Sequence, residues 1–89
     1  MGQIAATYDI MPESTDVDLG KVSEQIPKVM PNGVKLLDTK IEPVAFGLKK
    51  IVIGMIIDDS IDGVGTELED ALAGIEGVEN VECTSSALL

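Results

Sequence analysis

A short segment near the middle of the chain constrains the fold more than any other part of the sequence. It separates the two longest runs with β-strand character, Val34–Ile41 and Leu48–Asp58. Pro43 cannot donate a hydrogen bond to a sheet, and Gly47 can adopt the positive φ that closes a hairpin loop. The sequence therefore predicts a β-hairpin whose loop is formed by residues 44–47.

The loop contains Phe46, which is the only phenylalanine in the chain. A chain with so few aromatic residues is expected to bury a phenylalanine in its core, because burial of the ring is strongly favourable. Two interpretations remain open at this point. The ring either folds back over the sheet edge as an extension of the core, or it stays outside and fits into another molecule.

The segment before the hairpin predicts one strand and one helix. Residues Gln3–Met11 alternate as in a strand that ends at Pro12. Residues 19–29 carry apolar side chains at spacings of three and four, which is typical of one helix face. Asp16 or Asp18 is predicted to cap this helix, and Pro27 is predicted to kink or shorten it.

The segment after the hairpin predicts a second helix and a last strand. The helical pattern of residues 64–75 is preceded by a loop, and Thr66 with Glu69 matches a capping box. Val78–Leu88 is predicted to be a weaker strand with Val81, Cys83 and Ala87 on one side. The order is therefore β-α-β-β-α-β, in one domain spanning residues 1–89.

Two β-α-β halves joined by a hairpin are typical of a ferredoxin-like α/β sandwich, which belongs to the α+β class. Right-handed crossovers predict a four-stranded antiparallel sheet in the order 4-1-3-2, with both helices on one face. This arrangement places the two most apolar strands in the centre.

The missing residue types exclude several classes of function. The chain has no arginine and no histidine, so it is poorly equipped to hold a phosphate backbone, and we expect no direct binding of nucleic acid. Without histidine it also lacks the usual proton shuttle and a nucleophile–base pair, so we predict no catalytic chemistry of its own. The single Cys83 excludes an internal disulfide and a multi-cysteine metal site.

Three features bear on the compartment. No apolar run approaches the roughly 20 residues of a membrane span. The first residues lack the basic region and apolar block of a signal peptide. A lone cysteine fits a reducing compartment. We expect a cytoplasmic protein with no membrane partner.

The formal net charge is −10, and nine acidic residues but no basic one follow Lys50. This asymmetry favours a basic protein partner. Glu69 and Glu76 lie two turns apart on one predicted helix face, and Glu79 begins the next strand. No cofactor is predicted to be required, but these three carboxylates could hold calcium weakly through their oxygens. The alternative is a solvated acidic surface, and the spacing matches no EF-hand loop.

The residues from Pro43 to Ile51, PVAFGLKKI, closely resemble the hairpin segment of elongation factor 1-beta. Three other features are similar to that family: the first strand ending at Pro12, the acidic loop before Leu19, and Asp58-Asp59 closing the third predicted strand. The resemblance covers nearly the whole chain, is specific in the hairpin and is weak in the helices. With its short length, the chain resembles the archaeal form.

The resemblance implies a nucleotide exchange factor for elongation factor 1-alpha, the GTPase that carries aminoacyl-tRNA to the ribosome. In that family the loop aromatic matching Phe46 inserts into the G domain and disturbs the contacts of magnesium and phosphate, so that GTP replaces GDP. Eukaryotic members also place a lysine near their C-terminus at the magnesium site, whereas this chain has no lysine after Lys50. The predicted partner-binding residues are Val44, Ala45, Phe46, Gly47, Lys49 and Lys50.

A non-enzymatic ligand-binding or regulatory module that self-associates through a sheet edge or face is the second hypothesis. Under this second hypothesis, the hairpin residues do not contact a GTPase. Accelerated release of GDP from the GTPase distinguishes the first hypothesis from the second.

Overall fold

Six elements follow one another in the predicted order in a computed structural model that describes residues 2–58, 60–61 and 63–89. Asp59, part of the resemblance noted above, lies outside the described residues. In chain order the elements are β1 (Gln3–Pro12), α1 (Leu19–Val29), β2 (Val34–Ala45), β3 (Leu48–Asp58), α2 (Val64–Ala73) and β4 (Val78–Leu88).

The four strands form one antiparallel sheet in the order β2-β3-β1-β4, which is the predicted order read from the other edge. β1 and β3 are the central strands, and Ile10 pairs with Ile51 near the end of their ladder. The predicted ferredoxin-like α+β architecture is confirmed.

Alternate residues of the two central strands face the helices and form the core of the protein. Ile10 and Ile51 are both completely buried. Each such aliphatic side chain contributes about 1.5–3 kcal/mol through burial. The helices complete the core with Val22 and Ile26 from α1 and with Val64, Leu68 and Leu72 from α2.

One extra residue in β2 explains the mixed apolar pattern of that strand. Leu37 is inserted between two consecutive strand pairs as a β-bulge, which shifts the alternation by one residue. Ile41 therefore pairs with Ile51 on the same face as Leu36, although its spacing from Leu36 is odd. The side chain of Leu37 is left 57% exposed.

A second bulge lies in β4, where Thr84 is inserted between Cys83 and the next paired residue. The hydroxyl of Thr84 donates a hydrogen bond to the carbonyl oxygen of Thr7 at 3.2 Å. Ala87 consequently lies on the sheet face opposite Cys83. The expectation that these two residues share a face is wrong, because the pattern of a single strand does not reveal the inserted residue.

The first helix begins as predicted and the second does not. The Asp18 carboxylate accepts hydrogen bonds from the backbone N–H groups of Gly20 and Lys21, which satisfies the first turn of α1. Pro27 does not end α1, which continues to Val29. α2 starts after Gly63 without a side-chain cap, so the predicted capping box is wrong. Neither helix within the described ranges has the length and hydrophobicity to cross a membrane.

Gly77 lies in the connection between α2 and β4 and allows this connection to pack closely on the loop that follows β1. Its φ is +93°, and a Cβ atom there would lie 2.9 Å from Cγ1 of Val17. Its carbonyl oxygen also accepts a hydrogen bond from the backbone N–H of Glu13 at 2.9 Å. Only glycine combines this backbone conformation with so close a contact.

We therefore expect Gly77→Ala to lower the free energy of unfolding by about 2 kcal/mol, through left-handed backbone strain and overpacking. Gly65→Ala is the matched control, because Gly65 lies in α2 with nothing within 4 Å of an added Cβ. It should raise the stability by up to about 1 kcal/mol. Urea denaturation measures both changes, and equal stabilities for the two variants would contradict this account of Gly77.

Candidate functional site

The β2–β3 hairpin continues past the point where β3 stops pairing with β1. β3 pairs with β1 as far as Ile51, whereas its pairing with β2 continues to Leu48. At about 3.3 Å per residue, the hairpin tip projects about 10 Å past the last β1–β3 pair. A turn at the end of such a hairpin is accessible to a partner.

The tip of the hairpin is a two-residue turn. Ala45 pairs with Leu48, and the residues between them, Phe46 and Gly47, have φ values of 52° and 80°. These values are those of a type I′ turn. The prediction of a positive φ at Gly47 is confirmed, but the loop is shorter than predicted, because β2 includes Pro43, Val44 and Ala45. Pro43 is tolerated there because β2 is an edge strand.

Phe46 combines strain with exposure. Among the described residues it is the only non-glycine residue with a positive φ, and it is fully exposed, at 102%. Type I′ turns strongly prefer asparagine, aspartate or glycine, and a bulky side chain in this conformation costs about 1–2 kcal/mol. The ring does not fold back over the sheet edge, so the interpretation of Phe46 as part of the core is wrong. Strain of this kind clusters at functional sites.

Other apolar side chains near the tip are also exposed. Val44 is a further bulge residue, inserted between the pairs of Pro43 and Ala45, and it is 47% exposed. Ile41 lies five residues before Phe46 and is 49% exposed. Exposed apolar side chains grouped in this way are typical of an interaction surface.

The two lysines after the turn lie on opposite faces of the sheet, because consecutive side chains alternate along a strand. Lys49 pairs with Pro43, and Lys50 pairs with Glu42. The Lys50 Nζ donates a hydrogen bond to Oδ2 of Asp9 at 2.7 Å, and Asp9 is only 9% exposed. This hydrogen bond is the main cause that raises the pKa of Lys50 above its ordinary value, with smaller contributions from the charges of nearby carboxylates. Lys50 therefore ties the base of the hairpin to the central strand β1.

Lys49 has a different environment. It is exposed and lines a groove of about 320 Å³ between the hairpin and the loop that follows β1. Ile41 and Gly47 line the hairpin side of this groove, and Pro12 and Asp18 line the other side. We call it the hairpin groove. Of the two lysines, Lys49 is the one oriented toward a surface that a partner can occupy.

The predicted calcium ligands Glu69, Glu76 and Glu79 do not form a cluster. No group of three or more acidic or cysteine side chains in the described part of the chain is arranged to hold a metal ion. Glu69 instead accepts a hydrogen bond from the hydroxyl of Tyr8 at 3.2 Å. Burial raises the pKa of Tyr8, and the charge of Glu69 raises it further. Weak calcium binding therefore stays a prediction for which the described residues provide no ready-made ligand set.

Sequence reasoning missed two features of this site. The first is the ion pair of Asp9 and Lys50, whose members are 41 residues apart. The only signal for it was a charged residue within an otherwise apolar central strand. The second is the positive φ of Phe46. A two-residue hairpin turn made of Phe46 and Gly47 would have predicted it, because both central residues of a type I′ turn have positive φ.

The molecule is a small α+β domain with a strained, exposed aromatic residue at the tip of a hairpin. The family model for the EF-1 guanine nucleotide exchange domain matches residues 5–89. The chain belongs to this family.

Curated relatives agree with the family match. The chain is 46% identical over 83 residues to elongation factor 1-beta of Methanosarcina barkeri, covering 92% of each sequence. It is 39% identical over 89 residues to elongation factor 1-beta of Archaeoglobus fulgidus, covering 100% of each sequence. These proteins come from archaea, as the resemblance predicted.

A solved structure shows the same fold at low sequence identity. The C-terminal domain of the MgtC protein from Mycobacterium tuberculosis has a TM-score of 0.64 and 13% identity, with 99% of this chain and 88% of that domain's chain covered. At this identity the likeness concerns the fold alone.

The strain at Phe46 generates a prediction about stability. Phe46→Asn places the residue that type I′ turns prefer beside Gly47, and the ring makes no buried contact that would be lost. We expect the free energy of unfolding to rise by about 1 kcal/mol, which urea denaturation can measure. Phe46→Ala is the control, since alanine removes the ring but keeps a Cβ at positive φ. A fall in stability for Phe46→Asn would show that the ring is part of the core.

Proposed function

We propose that this protein promotes the exchange of GDP for GTP on elongation factor 1-alpha by inserting the tip of the hairpin into the G domain of that GTPase. The observation that carries the proposal is the full exposure of Phe46 at a projecting, strained turn. The membership in the exchange-domain family and the names of the relatives support the choice of partner.

Phe46 acts in this proposal as a preorganised anchor. A fully exposed ring gains about 1.5–3 kcal/mol when a pocket buries it, and aromatic anchors are typical hot spots of interfaces. The positive φ holds the ring away from the sheet, so no intramolecular contact must break before it binds. Val44 and Ala45 extend the apolar contact, and Gly47 allows the turn to be tight.

The tip must do more than bind, because a factor that favours all states of the GTPase equally shifts no equilibrium. Insertion promotes exchange only if the inserted ring and the bound GDP weaken each other's binding. Displacement of elements that hold magnesium and the phosphates would have this effect. The protein itself supplies no catalytic group in this scheme.

The two lysines have separate roles in this proposal. Lys50 is engaged by Asp9 and stabilises the base of the hairpin, while exposed Lys49 contacts the partner. The C-terminal residues do not supply a cation near the tip. Leu88 pairs with Ile4, and the N–H of Leu89 donates to the carbonyl oxygen of Gln3, at the end of the sheet opposite the hairpin tip.

Release of fluorescent GDP from elongation factor 1-alpha tests the proposal. We expect the wild-type protein to accelerate release. Phe46→Ala should lower the rate at saturating factor by at least about tenfold, because the ring that weakens GDP binding is missing and a coupling of 1–3 kcal/mol corresponds to about 5–150-fold. Lys49→Ala should raise the concentration needed for half-maximal effect with a smaller change in the saturating rate.

Leu37→Ala is the control for that assay, because Leu37 is another exposed large apolar residue, at 57%, and lies in β2 away from the tip. It should leave release unchanged. If the wild-type protein does not accelerate release, the proposed function fails. If Phe46→Ala and Leu37→Ala both behave as wild type, the hairpin tip is not the site.

A further inference from the structure

A groove of about 1000 Å³ runs between the two helices on the side of the sheet that they cover. We call it the interhelical groove. Its walls come from α1 and α2, and its end is formed by the loop after β1 and the loop before β4. The exchange activity proposed above does not use it.

The floor of the interhelical groove is apolar. Val22 and Ile75 are almost fully buried beneath it, and Val17, Val29 and Ala71 are partly exposed within it. Partly exposed aliphatic side chains along a concave surface favour the docking of an apolar helix or strand face.

The rim of the groove is strongly acidic. Among the described residues that line the groove, Lys21 is the only cationic one. Asp18 is occupied as the N-cap of α1, but within the described part of the chain the carboxylates of Glu24 and Asp70 make no hydrogen bond or ion pair. The carboxylates of the rim are those of Glu13, Asp18, Glu24, Asp70 and Glu76. An apolar floor with such a rim is complementary to a basic amphipathic segment and repels a nucleic acid backbone.

One end of the groove is rigid. The hydrogen bond from the N–H of Glu13 to the carbonyl oxygen of Gly77 joins its two loops, and Val17 packs closely on Gly77. A surface held in this way changes little on binding, which lowers the entropic cost of association.

The interhelical groove adjoins the hairpin groove. Val17 and Asp18 line both, so that the loop after β1 forms the ridge between them. A protein that holds the hairpin tip therefore needs to cross only this loop to reach the interhelical groove. The shared ridge favours the same partner for both surfaces.

We propose that the interhelical groove binds a lysine- and arginine-rich amphipathic segment of the GTPase, as a second docking contact beside the hairpin. This inference rests on the proposed function for the identity of the partner. The groove contributes attraction and orientation, whereas Phe46 contributes the effect on the nucleotide. Rim charges act chiefly on the association rate and on its dependence on salt.

The test is stopped-flow association of the full chain with nucleotide-free elongation factor 1-alpha. The groove variant is Glu24→Gln with Asp70→Asn, which removes two rim charges on exposed positions of facing helices. The control is Glu67→Gln with Asp38→Asn, which removes the same charge and the same residue types from exposed positions outside the groove.

We expect the groove variant to associate about three- to tenfold more slowly than wild type at low ionic strength, and the control to change less than about twofold. The difference should vanish at ~1 M salt, where the Debye length is about 3 Å. The GDP release rate at saturating factor should be the same for both variants. Amide hydrogen exchange of the complex should also show protection along α1 and α2.

Each outcome separates this inference from the proposed function. Equal association of the two variants, or an absence of protection along both helices, overturns the groove while leaving the hairpin intact. Binding without accelerated GDP release overturns the proposed function, and the comparison of the two variants still decides the role of the groove. A wild-type chain that does not bind the GTPase overturns both.

Discussion

The burial of one face of β1 and β3 under the two helices is the interaction on which the rest of the structure depends. Ile10 and Ile51 meet there with no exposed surface, and the ladder between their strands fixes the direction in which the hairpin leaves the sheet. A slip of one residue in this register would turn every core side chain to the open face. The core therefore sets the position of a tip that contributes nothing to it.

The open face secures the hairpin in another way. Asp9 is almost completely buried there although no helix covers it, and Lys50 reaches across from the neighbouring strand to pair with it. By contrast, the ion pair of Lys40 with Asp38 has an N···O distance of 3.7 Å and both side chains more than 60% exposed, so it contributes little. The hairpin is thus held at its base, and the strain of the turn is concentrated at Phe46.

The architecture could be predicted from sequence because its signals are local. Pro43, Gly47 and the two apolar periodicities specify the hairpin, the helices and their order without knowledge of long-range contacts. The bulge at Leu37 and the true length of the turn could not be predicted, because both depend on which residue lies opposite in the next strand. The interhelical groove forms only when α1 and α2 pack on the sheet. It therefore could not be predicted from any single segment of the sequence.

In the proposed function, Phe46 couples binding of this protein to loss of nucleotide, and calorimetry measures that coupling. The affinity for elongation factor 1-alpha is measured with the GTPase nucleotide-free and saturated with GDP and magnesium, for the wild-type protein and for Phe46→Ala. A coupling of 1–3 kcal/mol makes wild type prefer the nucleotide-free form by about 5–150-fold. We expect a ratio close to one for Phe46→Ala, and an unchanged ratio in that variant would show that Phe46 does not carry the coupling.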